Sequence, residues 1–248
     1  MRILIVGESW VSASTHYKGF DQFGSASYHT GADPLIQVLE ADGMEVEFQP
    51  SHVAATAFPL TIAGLQQYDV IWLSDIGANT LLLHPDTWLH GHRVANRLKL
   101  IEEYVRLGGG LGMAGGYLSF QGINGSARYH RTPVEAVLPV TMLSVDDRVE
   151  VPEGVTPSVV LSHPIVEGLD GEWPFLLGYN ELHAKPGSET LLTLGADPLL
   201  VLGRAGAGRS LAWASDIGPH WCPQAFLDWP GYAALFTRMT RWLAGALP

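Results

Sequence analysis

The chain has 248 residues, of which 47% are apolar and only 16% are charged, so it can bury the core of one large domain or two small ones. Its formal net charge of −11 argues against nucleic-acid binding, which requires a basic patch, and disfavours an anionic membrane surface. Its apolar runs are too short or too glycine-rich for a transmembrane helix or a signal peptide, and a single cysteine excludes an internal disulfide bond. We therefore expect a cytoplasmic protein without nucleic-acid or membrane partners.

The first half of the chain alternates predicted strands with predicted helices. Residues 3–6 indicate a buried strand, and a polar loop is expected from Glu8 to His29. Asp33 is the expected N-cap of the next helix, with Pro34 in its first turn. The other elements predicted here are strands around residues 46–48 and at 69–75, an amphipathic helix at 97–107 closed by Gly108, and a strand at 110–114.

The second half of the chain is less regular. Residues 133–202 contain proline-rich joints and short strand candidates such as 149–151 and 189–194, which indicate mixed β structure attached to or inserted in the sheet. A turn at 203–208, a strand at 210–215 and a terminal helix at 232–243 follow. The alternation predicts a single α/β domain over residues 1–248, with a doubly wound, mainly parallel sheet and helices on both faces.

A glycine-rich turn is the most informative segment. Residues 108–122, GGGLGMAGGYLSFQG, carry a short strand into a turn of the kind that presents a nucleophile in α/β enzymes. Gly115 occupies the position where Cys or Ser would be expected. Gly115 and Gly116 would let backbone amides bind an anion or oxyanion, or they simply permit a tight turn. Ser119 is expected at the start of the next helix, not as a nucleophile.

The carboxyl ends of the predicted strands indicate where a ligand would bind. The tetrapeptide SDIG occurs twice, at 74–77 and 215–218, each time after an apolar strand. Parallel strands bring such ends to one edge, where ligands bind. We expect a cleft bounded by residues 8–10, 75–79, 115–117 and 216–220, with these ligand-binding candidates: Ser9, Trp10, Gly77, Asn79, Gly115, Gly116 and Tyr117.

Four titratable residues are the catalytic candidates. Asp75 and Asp216 could form a proton-transferring pair, or each could cap a turn. Glu8 could be a general acid or base, or a solvated loop carboxylate. His220 titrates near neutral pH and is the best single candidate for proton transfer.

Other residues leave alternatives open. The local group of His84, Asp86, His90 and His92 matches no strong metal motif, and we predict neither metal nor cofactor. Cys222 is either a nucleophile beside His220 or a packed thiol. Two further sets are aromatic: Trp10, Tyr117, Phe120 and Trp221 could line the cleft or the core, and Trp88 and Trp229 could form the contact of a homo-oligomer.

Several segments together resemble the class I glutamine amidotransferase-like superfamily, in an uncharacterised branch. They are the GGGLGMAGGYLSFQG turn, the strand ending SDIGANTLLLHP, the helix entry HTGADPLIQVLEADG and the tail SDIGPHWCPQAFLDWPGYAALF followed by RWLAG. The tail is also similar, more loosely, to trehalose-utilisation-type proteins. The resemblance spans nearly the whole chain and implies a flavodoxin-like fold.

The resemblance also implies which catalytic groups are missing. A working amidotransferase places Cys in the turn and, after a late strand, His with Glu two residues later. These positions fall on Gly115, His220 and Cys222. Glutamine hydrolysis needs an activated nucleophile, so glutaminase activity is expected to be absent. We expect a small-molecule enzyme or ligand-binding protein; the alternative is a non-catalytic structural or regulatory subunit of an assembly.

Overall fold

The computed structural model describes residues 1–169 and 171–248. Within these residues the largest sheet has eight strands in the order β4-β1-β5-β6-β14-β13-β12-β9. The strands, in chain order, are β1 (Arg2–Gly7), β2 (Ser9–Lys18), β3 (Asp21–Thr30), β4 (Glu45–Gln49), β5 (Val70–Ser74), β6 (Gly110–Ala114), β7 (Val140–Met142), β8 (Arg148–Val155), β9 (Ser158–Val159), β10 (Leu176–Asn180), β11 (Leu182–Ala184), β12 (Glu189–Leu194), β13 (Asp197–Ala205) and β14 (Gly208–Trp213).

Nine α-helices are present in the described residues, and most of them belong to one of two packing groups. They are α1 (Asp33–Ala41), α2 (Ser51–Ala57), α3 (Ile62–Leu65), α4 (Ala78–Leu82), α5 (Pro85–His90), α6 (Arg97–Arg106), α7 (Pro133–Val137), α8 (Gln224–Leu227) and α9 (Pro230–Leu243). Helices α1 and α8 pack against α9, whereas α3, α4 and α7 pack against α6, and α2 packs against α4. The chain is therefore an α/β protein with a mostly parallel central sheet, as the alternation of elements predicts.

The parallel strands end together at one edge of the sheet. Strands β4, β1, β5, β6 and β14 run parallel, and the final positions of four of them are paired in register: Gly7, Ser74, Ala114 and Trp213. Tight packing brings these strands together, since a Cβ on Gly112 would lie only 2.5 Å from the Trp72 ring. The segments that follow these ends are therefore neighbours, which is the geometric condition for the predicted cleft.

The middle of the chain contributes the expected mixed β structure. Strands β13, β12 and β9 continue the sheet in antiparallel fashion, and β8–β10 and β7–β11 form separate antiparallel pairs. Strand β13 continues to Ala205, so the turn predicted at 203–208 is wrong in its bounds. The reversal needs only Gly206 and Ala207, and β14 begins at Gly208.

The polar loop predicted from Glu8 to His29 is also wrong. Ten-residue strands β2 and β3 pair along their whole length in a separate antiparallel ribbon, residues 9–30, which we call the arm. The prediction fails because both faces of the arm meet solvent, so most of its residues are polar and neither face is buried against the body of the protein. Only the alternation of Val11, Ala13 and Tyr17 with polar residues indicates strand structure.

Two smaller predictions also differ from the structure. The N-cap of α1 is Ala32, whose side chain cannot accept a hydrogen bond, and Asp33 is the first helical residue. Ser119 does not begin a helix, because residues 116, 120 and 122 have positive φ and form successive turns. No helix within the described residues is both long and apolar enough to cross a bilayer.

A buried arginine joins the ends of two helices. The Arg97 side chain is fully buried at the start of α6 and donates hydrogen bonds to the carbonyl oxygens of Ala54, Ala55, Thr80 and Leu81. These carbonyls belong to α2 and α4, where helical hydrogen bonding runs out. Burial lowers the pKa of Arg97 to about 10, so the guanidinium still carries its charge at neutral pH.

Candidate functional site

Two carboxylates stand in strained backbone at the ends of neighbouring strands. Glu8 follows β1 with φ of 46°, and Asp75 follows β5 with φ of 43°. Left-handed backbone is uncommon for residues other than glycine, and such strain concentrates at functional sites. Asp216 follows β14, the third strand that ends at this edge. Three carboxyl groups therefore follow strands that end at the same edge of the sheet.

The backbone of Gly116 lies between Asp75 and Asp216. A Cβ on Gly116 would lie 2.9 Å from Oδ1 of Asp75 and 2.9 Å from Oδ1 of Asp216. The two carboxylate oxygens are therefore no farther apart than twice that distance. Gly116 also has φ of +135°, which other residues rarely adopt. A glycine at this position permits both the turn and the approach of the two acids.

Glu8 is buried, not solvated as a loop carboxylate would be. It is 3% exposed, and the Ser74 hydroxyl donates a 2.5 Å hydrogen bond to its Oε2. A Cβ on Gly31 would lie 2.6 Å from Oε1, so the chain after the arm closes over this side chain. Burial, followed by the charges of Asp216 and Asp75, raises the pKa of Glu8 well above its usual value. Glu8 therefore holds a proton where an exposed glutamate would not.

Asp75, which follows the neighbouring strand β5, holds the glycine-rich turn in place through two hydrogen bonds. Its Oδ1 accepts a 2.6 Å hydrogen bond from the Leu118 amide, and its own amide donates to the Ser119 hydroxyl at 3.0 Å. Burial raises the pKa of Asp75 to about 6, and the charge of Asp216 adds to this although the Leu118 hydrogen bond opposes it. Asp75 therefore changes protonation state close to neutral pH.

Asp216 pairs with His220 one turn of chain later. Its Oδ2 lies 3.5 Å from Nδ1 of His220 and accepts a 2.9 Å hydrogen bond from the Trp221 amide. Asp216 thus caps the turn that follows it, as one of the two sequence interpretations expects, and it also lines the cleft. The hydrogen bond to Asp216 raises the pKa of His220 despite partial burial, and the charges of Asp216, Glu150 and Asp75 act in the same direction.

The backbone amides of the glycine turn are already occupied. Gly115 donates to the carbonyl oxygens of Trp213 and Ser215, each at 2.8 Å, and Gly116 donates to Oδ1 of Asn180 at 3.0 Å. These bonds occupy both amides, which favours the tight-turn interpretation over the binding of an anion or oxyanion.

Two residues that sequence reasoning missed hold the turn in place. Asn180, at the end of β10, bonds to Gly116 and donates to Oδ1 of Asp147 at 2.8 Å. Asp147 accepts hydrogen bonds from the amides of Gln121 and Gly122 at 2.9 and 2.8 Å. Both side chains come from the irregular middle of the chain, and no spacing in the sequence links them to the turn.

A cleft with a volume of about 450 Å³ opens over the acids. All four catalytic candidates line it, and they share its wall with aromatic and aliphatic groups: Glu8, Trp10, Asp75, Tyr117, Leu118, Ile123, Asp216, Pro219 and His220. The Tyr117 ring packs edge-on against the His220 ring, with centroids 4.7 Å apart, so His220 lies directly against the glycine turn. Pro219 lies in the predicted boundary segment 216–220, whereas Leu118 and Ile123 carry no signal in the sequence that would distinguish them from core residues.

Glu150 organises the aromatic side of the cleft. Its Oε1 accepts a hydrogen bond from the Tyr117 hydroxyl and its Oε2 accepts one from Nε1 of Trp221, each at 3.0 Å. The Arg148 guanidinium lies over the Tyr117 ring, 5.2 Å from its centroid. These contacts fix the ring that faces His220.

Only two of the seven ligand-binding candidates line the cleft. Trp10 and Tyr117 line the cleft, whereas Gly115 and Gly116 are buried and are not among its lining residues. Ser9 is buried, and its hydroxyl accepts a hydrogen bond from the Ser51 amide at 2.8 Å, at the start of α2. Gly77 precedes α4, and Asn79 lines a separate polar pocket of about 830 Å³.

The other aromatic candidates divide between core and surface. Phe120 and Trp221 are fully buried in the core. Trp229 is partly buried against the core, with its ring centroid 4.6 Å from that of Trp173. Trp88 is 70% exposed.

Position 115, which we call the elbow because an amidotransferase would carry its catalytic cysteine there, has no room for a nucleophile. A Cβ on Gly115 would lie 2.4 Å from the Ala214 carbonyl oxygen and 2.8 Å from Oδ1 of Asn180. Cys222 is fully buried, and burial together with the charges of Asp216 and Glu8 raises the pKa of its thiol, which opposes formation of the reactive thiolate. Cys222 is therefore the packed thiol of the two sequence interpretations.

The histidine group after α4 has a structural role. Nδ1 of His84 accepts a hydrogen bond from the Asp86 amide at 3.1 Å and so caps α5, while the rings of His90 and His92 lie 5.9 Å apart. Within residues 1–169 and 171–248, no three His, Cys, Asp or Glu side chains are arranged to hold a metal ion.

Known proteins share both the sequence and the fold of this chain. Two solved structures of cytoplasmic proteins from Salmonella typhimurium are 43% and 44% identical to it; each alignment covers 98% of this chain and 99% of the other, with a TM-score of 0.95. A ThuA-like protein from Parabacteroides merdae shares the fold at 14% identity, with a TM-score of 0.58 over 99% of this chain and 90% of that one, which fits the looser trehalose-utilisation resemblance. No curated protein matches the chain significantly. A family model described as "Putative glutamine amidotransferase" matches residues 2–245, and because it spans nearly the whole chain, the chain belongs to that amidotransferase-like family.

Proposed function

We propose that this chain is an enzyme that transfers protons to and from a small organic molecule in the carboxyl-edge cleft, and that it does not hydrolyse glutamine. The observation that carries the proposal is the contrast among carboxyl groups that line one cleft. Glu8 is buried and has a strongly raised pKa, whereas the pKa of Asp75 is about 6. Titratable neighbours whose environments separate their pKa values are the usual basis for assigning an acid and a base.

The roles follow from the protonation states. Glu8, whose pKa burial raises well above its usual value, is the general acid that donates its proton to a substrate atom. Asp75 is the base that accepts a proton from the substrate. His220, held by Asp216 with a raised pKa, supplies a positive charge or a second proton at the mouth of the cleft. Asp216 acts as a positioning residue for His220.

The cleft suits a neutral or cationic molecule. Its lining residues include three carboxyl groups and one imidazole, with no lysine or arginine, in a chain of net charge −11. An anionic substrate would meet repulsion from these groups, since opposite charges are what stabilise a bound anion. The faces of Trp10 and Tyr117 offer the apolar contact that sugars and other small organic ligands use. The volume lies in the range typical of small-molecule sites.

The absence of glutaminase activity rests on two positions. Gly115 leaves no space for a cysteine side chain at the elbow, and Cys222 is buried with a raised pKa. Acyl transfer from glutamine requires an exposed nucleophile activated by a base. We therefore expect no ammonia release from glutamine above that of a protein-free control.

Deuterium exchange tests the proposed chemistry even while the substrate is unidentified. Purified protein is incubated in D₂O with pooled neutral and cationic metabolites, and mass spectrometry detects compounds that gain deuterium or are converted. Glu8→Gln and Asp75→Asn should abolish the change, whereas Glu102→Gln on the surface of α6 should retain it. No change with the native protein, or equal change with Glu8→Gln, would refute the acid–base role.

The exposed arm favours a second candidate, a non-catalytic structural subunit, since a subunit of an assembly needs a contact surface. In that case the native protein would convert no compound in the deuterium experiment, and Glu8→Gln and Asp75→Asn would leave its assembly unchanged. Only substitutions in the arm would change its association with other chains.

We also infer that the chain is a single domain with a flavodoxin-like, doubly wound sheet. The order β4-β1-β5-β6-β14 of the parallel strands and the two helix packing groups support this arrangement.

A further inference from the structure

The arm contacts the rest of the molecule at its base, where Ser9 bonds to Ser51, Trp10 lines the cleft and the Tyr28 ring packs edge-on against that of His52, and its remaining length is exposed to solvent. Every arm residue except Ser9 is exposed, including Val11 at 65% and Tyr17 at 74%. Neither outer edge pairs with another strand in the part of the chain that the structure describes. A two-stranded ribbon alone is at best marginally stable in water, and exposed apolar surface of this kind marks an interaction site.

The two faces of the arm differ in chemistry. The ten cross-strand pairs divide five to a face, because side chains alternate along a strand; besides Ser9–Thr30 at the base of one face and Lys18–Asp21 at the tip of the other, each face has four pairs. The face that we call the alanine face carries Val11–Tyr28, Ala13–Ala26, Thr15–Gly24 and Tyr17–Gln22. The face that we call the serine face carries Trp10–His29, Ser12–Ser27, Ser14–Ser25 and His16–Phe23. The alanine face is therefore the apolar one at its centre.

The alanine face is complementary to itself. It has large side chains at the base of the arm, small ones in the middle and a large one at the tip, so its profile is nearly symmetric about the pairs Ala13–Ala26 and Thr15–Gly24. Two such faces packed antiparallel across a two-fold axis place small residues opposite small residues at the centre. An isologous interface requires this self-complementarity.

Charge also favours contact between two arms. Residues 9–30 contain one lysine, Lys18, and one acid, Asp21, so the arm carries no formal net charge, whereas the whole chain carries −11. Two copies that approached through their bodies would repel each other, whereas two neutral arms would not. The serine face has a polar centre and offers less apolar area to bury.

We infer that the arm is a dimerisation device, in which the alanine face packs against the alanine face of a second copy, antiparallel across a two-fold axis near Ala13 and Ala26. The inference does not depend on the proposed function, because its residues lie outside the set of acids that carry the chemistry.

Light scattering after size exclusion tests the inference with a matched pair of variants. Native protein should have twice the mass of the chain at micromolar concentration. Ala13→Glu places a charge at the centre of the alanine face and should weaken association at least tenfold. Ser14→Glu makes the same charge change one residue later, on the serine face, and should leave the mass unchanged. A monomeric native protein, or an equal effect of both variants, would overturn the inference.

A disulfide cross-link gives an answer that does not depend on tolerance of a new charge. Under oxidation Ala13→Cys should form a covalent dimer, because its two copies face each other near the axis, and Ser14→Cys should not. The native Cys222 is buried and does not contribute. Equal cross-linking by both variants, or none by Ala13→Cys, contradicts the proposed face.

Discussion

Asp75 and Asp216 approach each other across the backbone of Gly116, each with Oδ1 2.9 Å from the position that a Cβ atom there would take. The glycine-rich turn thus serves a different purpose from the one that its sequence suggests. Its amides are bonded to Asn180 and to strand carbonyls, and its lack of a side chain admits two acids. Burial, with the charge of Asp216 adding to it, raises the pKa of Asp75 at this approach.

Gly116→Ala should destabilise the protein and disturb the acids. The φ of +135° alone costs about 1–3 kcal/mol for a residue with a Cβ, and the contact with both carboxylates adds to this. The measurement is the free energy of unfolding in denaturant. Gly108→Ala is the matched control, because Gly108 also has positive φ, at +119°, but a Cβ there would meet nothing within 4 Å. Equal losses in the two variants would contradict the crowding of the acids at Gly116.

The stability of the native protein should fall as pH rises from about 4 to about 6. Burial raises the pKa of Asp75 to about 6, whereas an unfolded aspartate titrates near 4. The folded state binds the additional proton between these values, so the stabilisation is complete below pH 4 and is lost by about pH 6. The loss should be about 2–3 kcal/mol, at 1.4 kcal/mol for each pKa unit.

Asp75→Asn should remove that part of the pH dependence, as measured by denaturant unfolding at half-unit steps of pH. A fall of the same sign should remain in this variant, because burial also raises the pKa of Glu8 and its stabilising proton is also lost as pH rises. Asp228→Asn on the surface serves as the control. An unchanged slope in Asp75→Asn would show that another group titrates in this range.

The titration of His220 should depend more on Asp216 than on Glu150. Nδ1 lies 3.5 Å from Asp216 Oδ2, and Nε2 lies 3.9 Å from Glu150 Oε2. Asp216→Asn should therefore lower the pKa of His220, and Glu150→Gln should lower it by less. Imidazole resonances followed by NMR across pH 5–9 report the value. A larger decrease in Glu150→Gln would reverse the assignment of the partner.

The parts of the fold that are predictable from sequence are those with a buried face. The strand at Gly110–Ala114 has the bounds that its sequence predicts, because an apolar run between glycines has few alternatives. The arm escapes prediction because both its faces meet solvent, and burial is the source of the periodic signal. Its pairing depends on the register of β2 with β3, which no local pattern specifies.

The sequence predicts only those residues of the candidate site that directly follow a strand. Glu8, Asp75 and Asp216 stand out in the sequence because each follows an apolar strand, and parallel strands end at one edge. The burial of Glu8 is not predictable, because it depends on Gly31, which the arm returns to the site. Asn180 and Asp147 give no sequence signal, because their approach to the turn is a tertiary contact between distant segments.

Arg97→Met should cost about 2–4 kcal/mol of unfolding free energy. The substitution keeps the length and apolar stem of the side chain but removes the donor from the carbonyl oxygens of Thr80 and Leu81 at the end of α4, whereas Ala54 keeps its bond from the Phe58 amide. Lys99→Met in the same helix is the control, since Lys99 is exposed and serves no such group. Equal stability of the two variants would mean that water replaces the guanidinium.

Gly115→Cys should fail to restore glutaminase activity, although it places the expected nucleophile at the elbow. The new Cβ would lie 2.4 Å from the Ala214 carbonyl oxygen, so the turn must move, and the Gly115 amide bonds to Trp213 and Ser215 would be strained. The expected outcome is a lower unfolding free energy with no ammonia release from glutamine. Gly171→Cys is the matched control, because a Cβ there meets nothing within 4 Å and should cost little stability. Ammonia release by Gly115→Cys at normal stability would show that the scaffold still holds a working amidotransferase site, and that only the nucleophile separates this chain from that activity.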